Sequence, residues 1–466
     1  MIDFIHPVIT KTILVYFFFL NTFYVIFIAI SLYEIFRYRN LITFLNFKEI
    51  FRLPLLKPVS IISPAFNEEN NIIESIKSLL SLEYPLYEVI VVNDGSTDST
   101  LEKLIKTFKL KKSFKVFRKS IETKPIRGVY TSPLHPKLIV IDKINGKKAD
   151  ALNAGLNIAR YPLFCTIDAD SILNKDSLFK IVRPFLENPK TVGAGGIIYL
   201  SNDCTIKSGE VIKVRLPRNW LSKFQILEYL RAFLGGRIGL SALRCILIIS
   251  GAFGIFRKDI ALECGGYRTN TIGEDMDLVV RMRKYLHEKK VPFLIHFIPD
   301  PICWTEGPET IKALARQRNR WHRGLIESLI HSRKMLFNLR YGITGMVAMP
   351  FYFIFEMLGP LIEFIGYTLF IFYIVSGRIN YPFALTFFTL AIIYGIFLSL
   401  MAILLEELSH FRYPAVSNLF IISIFSFLEN ILYRQFLTAV RVKAFIDFIF
   451  RKKEWGELKK KGFLSD

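Results

Sequence analysis

Asp168-Ala169-Asp170 closes an apolar run, PLFCTIDAD. In extended chain, residues i and i+2 project to the same side, so both carboxylates face one way. Like charges placed so close need a shared proton or a cation. A hard divalent ion such as Mg²⁺ or Mn²⁺, also held by a diphosphate, satisfies both and neutralises a leaving group. A turn or a helix cap explains the same pair without any chemistry. Asn93-Asp94-Gly95-Ser96-Thr97-Asp98 follows a second apolar run. As a turn and N-cap it is unremarkable, but Asp94 at a strand end can also accept hydrogen bonds from a base or ribose. Lys148, in Gly146-Lys147-Lys148-Ala149-Asp150, stands near a helix start, where a phosphate would be met.

Gly273-Glu274-Asp275 precedes the amphipathic pattern MDLVVRMRKYL. Acidic residues in a first helical turn are favoured by the helix dipole, and a carboxylate there can also act as general base toward a sugar hydroxyl. Gln317, Arg320 and Trp321 fall at i, i+3 and i+4 of the helical stretch TIKALARQRNRWHRGLIESLI, so they share a face. That face offers an amide, a guanidinium suited to a diphosphate and a flat ring suited to the apolar side of a sugar. A basic amphipathic helix lying on a membrane would use similar residues.

The elements that must hold these groups alternate between about Pro58 and Asn338. VSIISPAF, YEVIVVNDG and PLFCTIDAD read as strands. ENNIIESIKSLLSL, a segment starting at STDST, KADALNAGLNIA and KDSLFKIVRPFLE read as helices. Continuous apolar runs suit strands buried on both faces, as in a mainly parallel sheet covered by helices. Ligands of such sheets bind beyond the carboxyl ends of the strands, which gathers Phe66-Asn67-Glu68, Asn93-Asp94 and Asp168-Ala169-Asp170 at one edge. The stretch between Thr107 and Asn145 is poorly patterned and reads as an insertion.

Hydrophobic residues make up 52% of the 466 residues, and phenylalanine occurs 43 times. They concentrate in residues 12–36 and in three blocks, 343–375, 383–405 and 416–440, each long enough to cross hydrocarbon. Glu356, Glu363, Glu406, Glu407, Glu429 and Arg434 interrupt these blocks, and carboxylates at that depth face a protein interior, a wet path or the interface. The net charge of +21 argues for anionic lipid rather than nucleic acid, because the basic residues flank the apolar segments. Arg37, Arg39, Lys48 and Arg52 follow the first segment, whereas Arg451, Lys452, Lys453, Lys459, Lys460 and Lys461 follow the last. The first segment reads as a retained anchor with its N-terminus outside, which places the middle region in the cytoplasm. Residues 441–461 read as a basic amphipathic interfacial helix. Were that helix cytoplasmic too, three intervening spans would give the wrong parity, unless one is a re-entrant or interfacial helix or the first is a hairpin. Five scattered cysteines without a C-x-x-C pair fit reduced thiols, and no G-x-x-x-x-G-K-[ST] loop is present.

Taken in order, Asn93-Asp94-Gly95-Ser96, Asp168-Ala169-Asp170, Gly273-Glu274-Asp275 and Gln317-x-x-Arg320-Trp321, followed by apolar spans, resemble the family 2 processive glycosyltransferases. These include the catalytic subunits of cellulose, poly-N-acetylglucosamine and hyaluronan synthases. The resemblance covers roughly residues 58–330. It implies an α/β glycosyltransferase A-type (Rossmann-like) cytoplasmic domain at 41–340, between an anchor at 1–40 and a transmembrane bundle at 341–440, with a basic tail at 441–466. It also implies an inverting enzyme of a cell membrane using a nucleotide-sugar donor, with UDP most expected. Phe66, Glu68, Asp94, Lys148 and Asp168 would bind the donor, and Asp170 the Mg²⁺ or Mn²⁺. Asp275, beside Glu274, would be the base, while Gln317, Arg320 and Trp321 would bind the diphosphate and acceptor end. The acceptor would be carbohydrate or lipid-linked, with membrane lipid and export subunits as further partners and no nucleic acid. Two departures stand out: Gly273 where threonine is usual, and Phe66 where tyrosine is common. A single transfer to a lipid or polyprenyl phosphate, or a non-catalytic scaffold or transporter subunit, are the competing readings.

Overall fold

The computed structural model describes residues 2–43, 56–114, 119–377, 381–410, 412–413 and 415–450. The described residues divide into two compact units. One gathers Tyr38–Pro217 and Ile246–Gly307. The other holds the N-terminal helix up to Arg37, then Arg218–Cys245, then the chain from Pro308 onward. The basic tail from residue 451, together with Lys48 and Arg52, lies outside the described residues.

The first unit is built on a ten-stranded sheet. Its strands are β1 (Val59–Ala65), β2 (Tyr87–Asn93), β3 (Lys111–Ser113), β4 (Ile126–Thr131), β5 (Leu138–Lys143), β6 (Leu163–Ile167), β7 (Ser171–Leu173) and β8 (Thr191–Leu200), then β11 (Phe253–Arg257) and β12 (Leu294–Thr305). A separate two-stranded ribbon pairs β9 (Thr205–Lys207) with β10 (Glu210–Lys213). The sheet order is β3-β4-β5-β2-β1-β6-β11-β8-β12-β7. Its centre, β5-β2-β1-β6, is parallel, and these β-branched runs are buried along almost their whole length, as strands covered on both faces must be. Outside that centre the expectation of a mainly parallel sheet needs correcting. β11 runs antiparallel to β6 and β8, β7 antiparallel to β12, and β4 antiparallel to both β5 and β3. The sheet is therefore mixed.

The helices expected from the sequence form at Ile72–Leu80, Thr100–Phe108, Lys147–Ile158 and Ser177–Glu187. The stretch 107–145 differs from expectation. It contributes β3, β4 and β5, so much of it is sheet rather than insertion, and β5 is a fully buried parallel neighbour of β2.

The second unit contains four helices long and apolar enough to cross a membrane: Ile9–Asn40, Thr344–Val375, Tyr381–Ser409 and Val416–Ile449. They coincide with the four apolar segments of the sequence. The last runs on through residues 441–449, so the start of the expected tail continues that helix. Ile13, Tyr16, Phe17 and Leu20 of the first pack against Tyr373, Phe383, Phe387 and Ala391. Three carboxylates within these helices turn to protein partners. Glu356 accepts from the Tyr24 hydroxyl at 2.7 Å, Glu363 from Arg434 at 2.9 Å and Thr438 at 3.0 Å, and Glu429 from Arg231 at 2.7 Å and Ser399 at 3.1 Å. A charge left unpaired in an apolar interior costs several kcal/mol, so such pairing lets these carboxylates sit within apolar helices.

Candidate active site

Parallel strands deliver their carboxyl ends to one edge of the sheet, and β1 and β2 end in register, with Ala65 opposite Asn93. The two loops that follow are laced together. The Asn67 side chain accepts from the Thr97 N–H at 2.9 Å. The Asn67 N–H donates to Ser96 Oγ at 3.1 Å, and the Glu68 N–H to Thr100 Oγ1 at 3.0 Å. Phe66 is left exposed and Glu68 half-buried. Gly95, at φ +69°, makes the turn after Asp94 in the left-handed region that favours glycine. A Cβ there would also lie 2.8 Å from the Asn145 nitrogen.

Asp94 is buried, 3% exposed, and its carboxylate accepts from Lys143 Nζ at 2.7 Å and the Gly146 N–H at 3.0 Å. Burial pushes its carboxyl above the usual carboxylate range despite these donors. Lys143, fully buried, also meets Asp150 at 2.5 Å. Asp94 thereby fixes the approach to the helix Lys147–Ile158, whose first turn carries Lys148. The sequence reading missed Lys143. The signal for it is a lysine closing the apolar run LIVID, within the poorly patterned stretch 107–145.

Lys148 Nζ lies 2.5 Å from Asp168 Oδ1 and 3.8 Å from Glu274 Oε1. Asp168 follows β6 and closes a tight turn, with the Ser171 N–H donating to its carbonyl at 3.0 Å, and Asp170 inside that turn is buried. Asp275 starts the helix Glu274–Glu288, and both its oxygens accept main-chain bonds, from the Gly251 N–H at 3.1 Å and the Met276 N–H at 2.8 Å. That helix start is anchored by buried Asp277, which accepts from Arg268 at 3.1 Å and Arg281 at 2.6 Å. Gly251 was not anticipated from the sequence. A Cβ on it would stand 3.1 Å from Lys148 Nζ and 3.7 Å from Asp275 Oδ2, so a side chain there would press on the lysine ammonium. The structure thus brings together Lys148, Asp168, Glu274, Asp275 and Gly251.

Gln317, Arg320 and Trp321 lie in the other unit, on the helix Ile311–His331, which Thr310 caps by accepting from the Ala313 N–H at 3.3 Å. Trp321 is 44% exposed, and Gln317 and Arg320 are half-buried. Arg318, between them in sequence, is buried, and its guanidinium lies over the Trp321 ring at 4.2 Å.

This order of motifs on a mixed sheet has counterparts. The family model described as glycosyl transferase family group 2 matches residues 163–402, just over half of the chain. The chain belongs to that family. A further model of this family 2 lineage, glycosyl transferase family 2, matches residues 60–243. The poly-beta-1,6-N-acetyl-D-glucosamine synthase of Staphylococcus epidermidis is 30% identical over 272 residues, covering 58% of this chain and 55% of the relative. The synthase of the same description from Staphylococcus aureus is 28% identical over 289 residues, covering 61% and 59%. The chain thus matches little more than half the length of these relatives. Among solved structures, a mannosyltransferase from Pyrobaculum calidifontis in complex with GDP-Man and Mn²⁺ superposes with a TM-score of 0.49 at 16% identity, over 95% of this chain and all of that one.

As a family group 2 chain it gathers charged groups beyond the strand ends of its sheet. A fixed carboxylate at a helix start adjoins an ammonium and a carboxylate pair, and all five cysteines are free thiols. Among the described residues no three His, Cys, Asp or Glu side chains converge as a metal cage. Mg²⁺ and Mn²⁺ sites do not require one, since one or two carboxylates plus phosphate oxygens suffice. Asp168 already draws a cation, the Lys148 ammonium, and Asp170 lies two residues on, so the oxygen donors present fit such an ion.

Proposed function

We propose that the chain is a membrane-bound inverting glycosyltransferase that moves a hexose or N-acetylhexosamine from a UDP-sugar onto a growing polysaccharide. The observation that carries this is Asp275. Two main-chain N–H groups orient its carboxylate beside Lys148, Asp168 and Glu274, within a family of nucleotide-sugar transferases. The relatives' name supports N-acetylglucosamine as the sugar and a polymer as the product.

In this reading Asp275 takes the proton of the acceptor hydroxyl, whose oxygen attacks the anomeric carbon. The bond from that carbon to the diphosphate breaks, and its electron pair leaves with the diphosphate. The bonds from Gly251 and Met276 hold the carboxylate still, so little reorganisation is needed as the proton moves. Lys148 exchanges its pairing with Asp168 for the incoming phosphates. Phe66, Glu68, Asp94 and Asp168 complete the donor site, Asp94 by holding the Lys143–Gly146 approach. Gln317, Arg320 and Trp321 bind the diphosphate and the acceptor end. Asp170, with Asp168, would hold Mg²⁺ or Mn²⁺, which when bound supplies counter-charge to the diphosphate. The anchor, the transferase region at 41–340, the bundle at 341–440 and the tail at 441–466 divide the labour as the sequence suggests. The transferase region faces the cytoplasm of a cell membrane, lipid surrounds the spans, and export subunits take the product.

Asp275→Asn tests this. The variant keeps shape and loses proton acceptance, so turnover falls about 10²–10⁴-fold while UDP affinity barely changes. A variant that turns over normally would return Asp275 to the role of a helix-start carboxylate. A single transfer to a lipid acceptor is told apart by product length.

A further inference from the structure

Arg318 lies inside the Gln317–Trp321 motif, but its position between motif residues gave it no role in the sequence. It is buried, and every part of its guanidinium is engaged within one unit. Nε donates to both oxygens of Glu228, at 2.9 and 3.2 Å, and Nη2 donates to Oε2 at 2.7 Å. Nη1 donates to the Gln317 side-chain oxygen. The flat face covers the Trp321 ring at 4.2 Å, with the Tyr229 ring 5.9 Å away on the carboxylate's own helix. One planar cation therefore holds the amide of Gln317 and the indole of Trp321 at once. Only a fork-shaped group can do so, since a lysine ammonium has neither the parallel donors nor the stacking face.

Glu228 is itself fixed. It sits on the helix Trp220–Leu230, and the Tyr433 hydroxyl donates to its Oε2 at 3.0 Å, with Arg441 at 3.9 Å. Tyr433 stacks on Phe224 at 4.8 Å, inside a cluster of Leu221, Phe224, Leu314, Tyr433 and Leu437. The same helix is tied to the approach of the motif helix. Asn219 donates to the Glu309 carbonyl at 3.1 Å, and Gln225 to the Pro308 carbonyl at 2.8 Å. Burial alone would raise the Glu228 carboxyl, but Arg318, Arg441 and Tyr433 outweigh it and hold it below the usual range, so it stays charged.

We propose that Glu228 is a positioning residue for acceptor binding: through Arg318 it sets the orientation of Trp321 and Gln317, and through Tyr433 it ties that orientation to the last apolar helix. The inference rests on Gln317 and Trp321 binding the acceptor end, as read above. Glu228 touches no substrate in this account and acts only through Arg318.

The test uses the full-length protein in nanodiscs with UDP-N-acetylglucosamine and a short β-1,6-linked N-acetylglucosamine oligomer. Variants are Glu228→Gln, Glu228→Asp, Tyr433→Phe and Trp321→Ala. Glu228→Gln raises the KM for the oligomer at least about tenfold, as a misplaced binding group should, with the donor KM little changed. Tyr433→Phe removes one bond to a charged group, keeps the packing, and raises the oligomer KM less, by up to about tenfold. Glu228→Asp restores part of the loss. In parallel, acrylamide quenching of Trp321, taken as the difference from Trp321→Phe, increases in Glu228→Gln and Tyr433→Phe. Unchanged Trp321 quenching in both overturns the inference, as does an unchanged oligomer KM in Glu228→Gln where Trp321→Ala raises it. An oligomer KM unmoved by Trp321→Ala, or no transfer by the wild type, instead overturns the reading of the motif beneath it. The quenching arm then still decides whether Glu228 places Trp321.

Discussion

Lys143 lies buried between two carboxylates, Asp94 at 2.7 Å and Asp150 at 2.5 Å, in a place that water does not reach. Removing one partner of a buried ion pair leaves uncompensated charge, so Lys143→Met should lose about 3–5 kcal/mol of stability. Thermal unfolding of the detergent-solubilised protein measures this, and a melting temperature equal to wild type would mean that the carboxylates simply take up protons at no cost. Gly251 acts differently. In Gly251→Ala the new methyl meets the far end of a flexible lysine, which moves aside cheaply, so stability should change by no more than about 0.5 kcal/mol. Turnover should nevertheless fall, because Lys148 is displaced beside Asp275. Steady-state kinetics alongside melting curves separates the two effects, and a variant with full turnover would remove Lys148 placement from the account. The carboxylates at strand and helix ends were legible in the sequence because residue type and the preceding apolar run coincide there. Lys143, Gly251 and Glu228 were not, because their importance comes from partners 49, 24 and 90 residues away.

At the scale of elements, the parallel core β5-β2-β1-β6 was readable except for β5. LIVID is an unbroken apolar run, but the lysine- and proline-rich chain around it hid the strand. The antiparallel pairings of β11 and β7 are tertiary choices that local pattern does not encode. The motif helix Ile311–His331 was legible by its period, whereas its burial was not. Besides Arg318 it buries His322, whose imidazole is pushed down to about 3 by burial and by the nearby Arg441. A histidine pKa depressed on folding contributes stability that is complete above the unfolded value near 6.5 and is lost as pH falls toward the folded value. The protein should therefore lose about 2 kcal/mol between pH 7 and pH 5 from this one group. His322→Gln should lose correspondingly less over the same interval. Melting curves of both proteins at the two pH values test this, and equal slopes would contradict the assignment.

For the whole molecule, the four apolar helices were plain in the sequence because each is a long apolar stretch broken by few charges, and the structure keeps all four. The division of the rest was less legible. Residues 218–245 and 308 onward group with the apolar helices, through contacts such as Arg231 with Glu429 that no sequence pattern announces. The proposed orientation, with the sheet unit in the cytoplasm, rests on the basic residues after the first apolar segment. A cysteine added on an exposed position of the sheet unit should react with an impermeant maleimide only after permeabilisation, and labelling in intact cells would reverse the topology. The account as a whole stands on sugar transfer dependent on Asp275. The most direct measurement incubates membranes bearing wild-type or Asp275→Asn protein with a panel of radiolabelled nucleotide sugars, with and without chelator, and sizes the product after digestion with defined glycosidases. The account predicts polymeric label from a UDP-linked sugar by wild type, lost on chelation and restored by Mg²⁺ or Mn²⁺, and reduced about 10²–10⁴-fold in Asp275→Asn. Equal incorporation by the two proteins, or none by wild type from any nucleotide sugar, would contradict it.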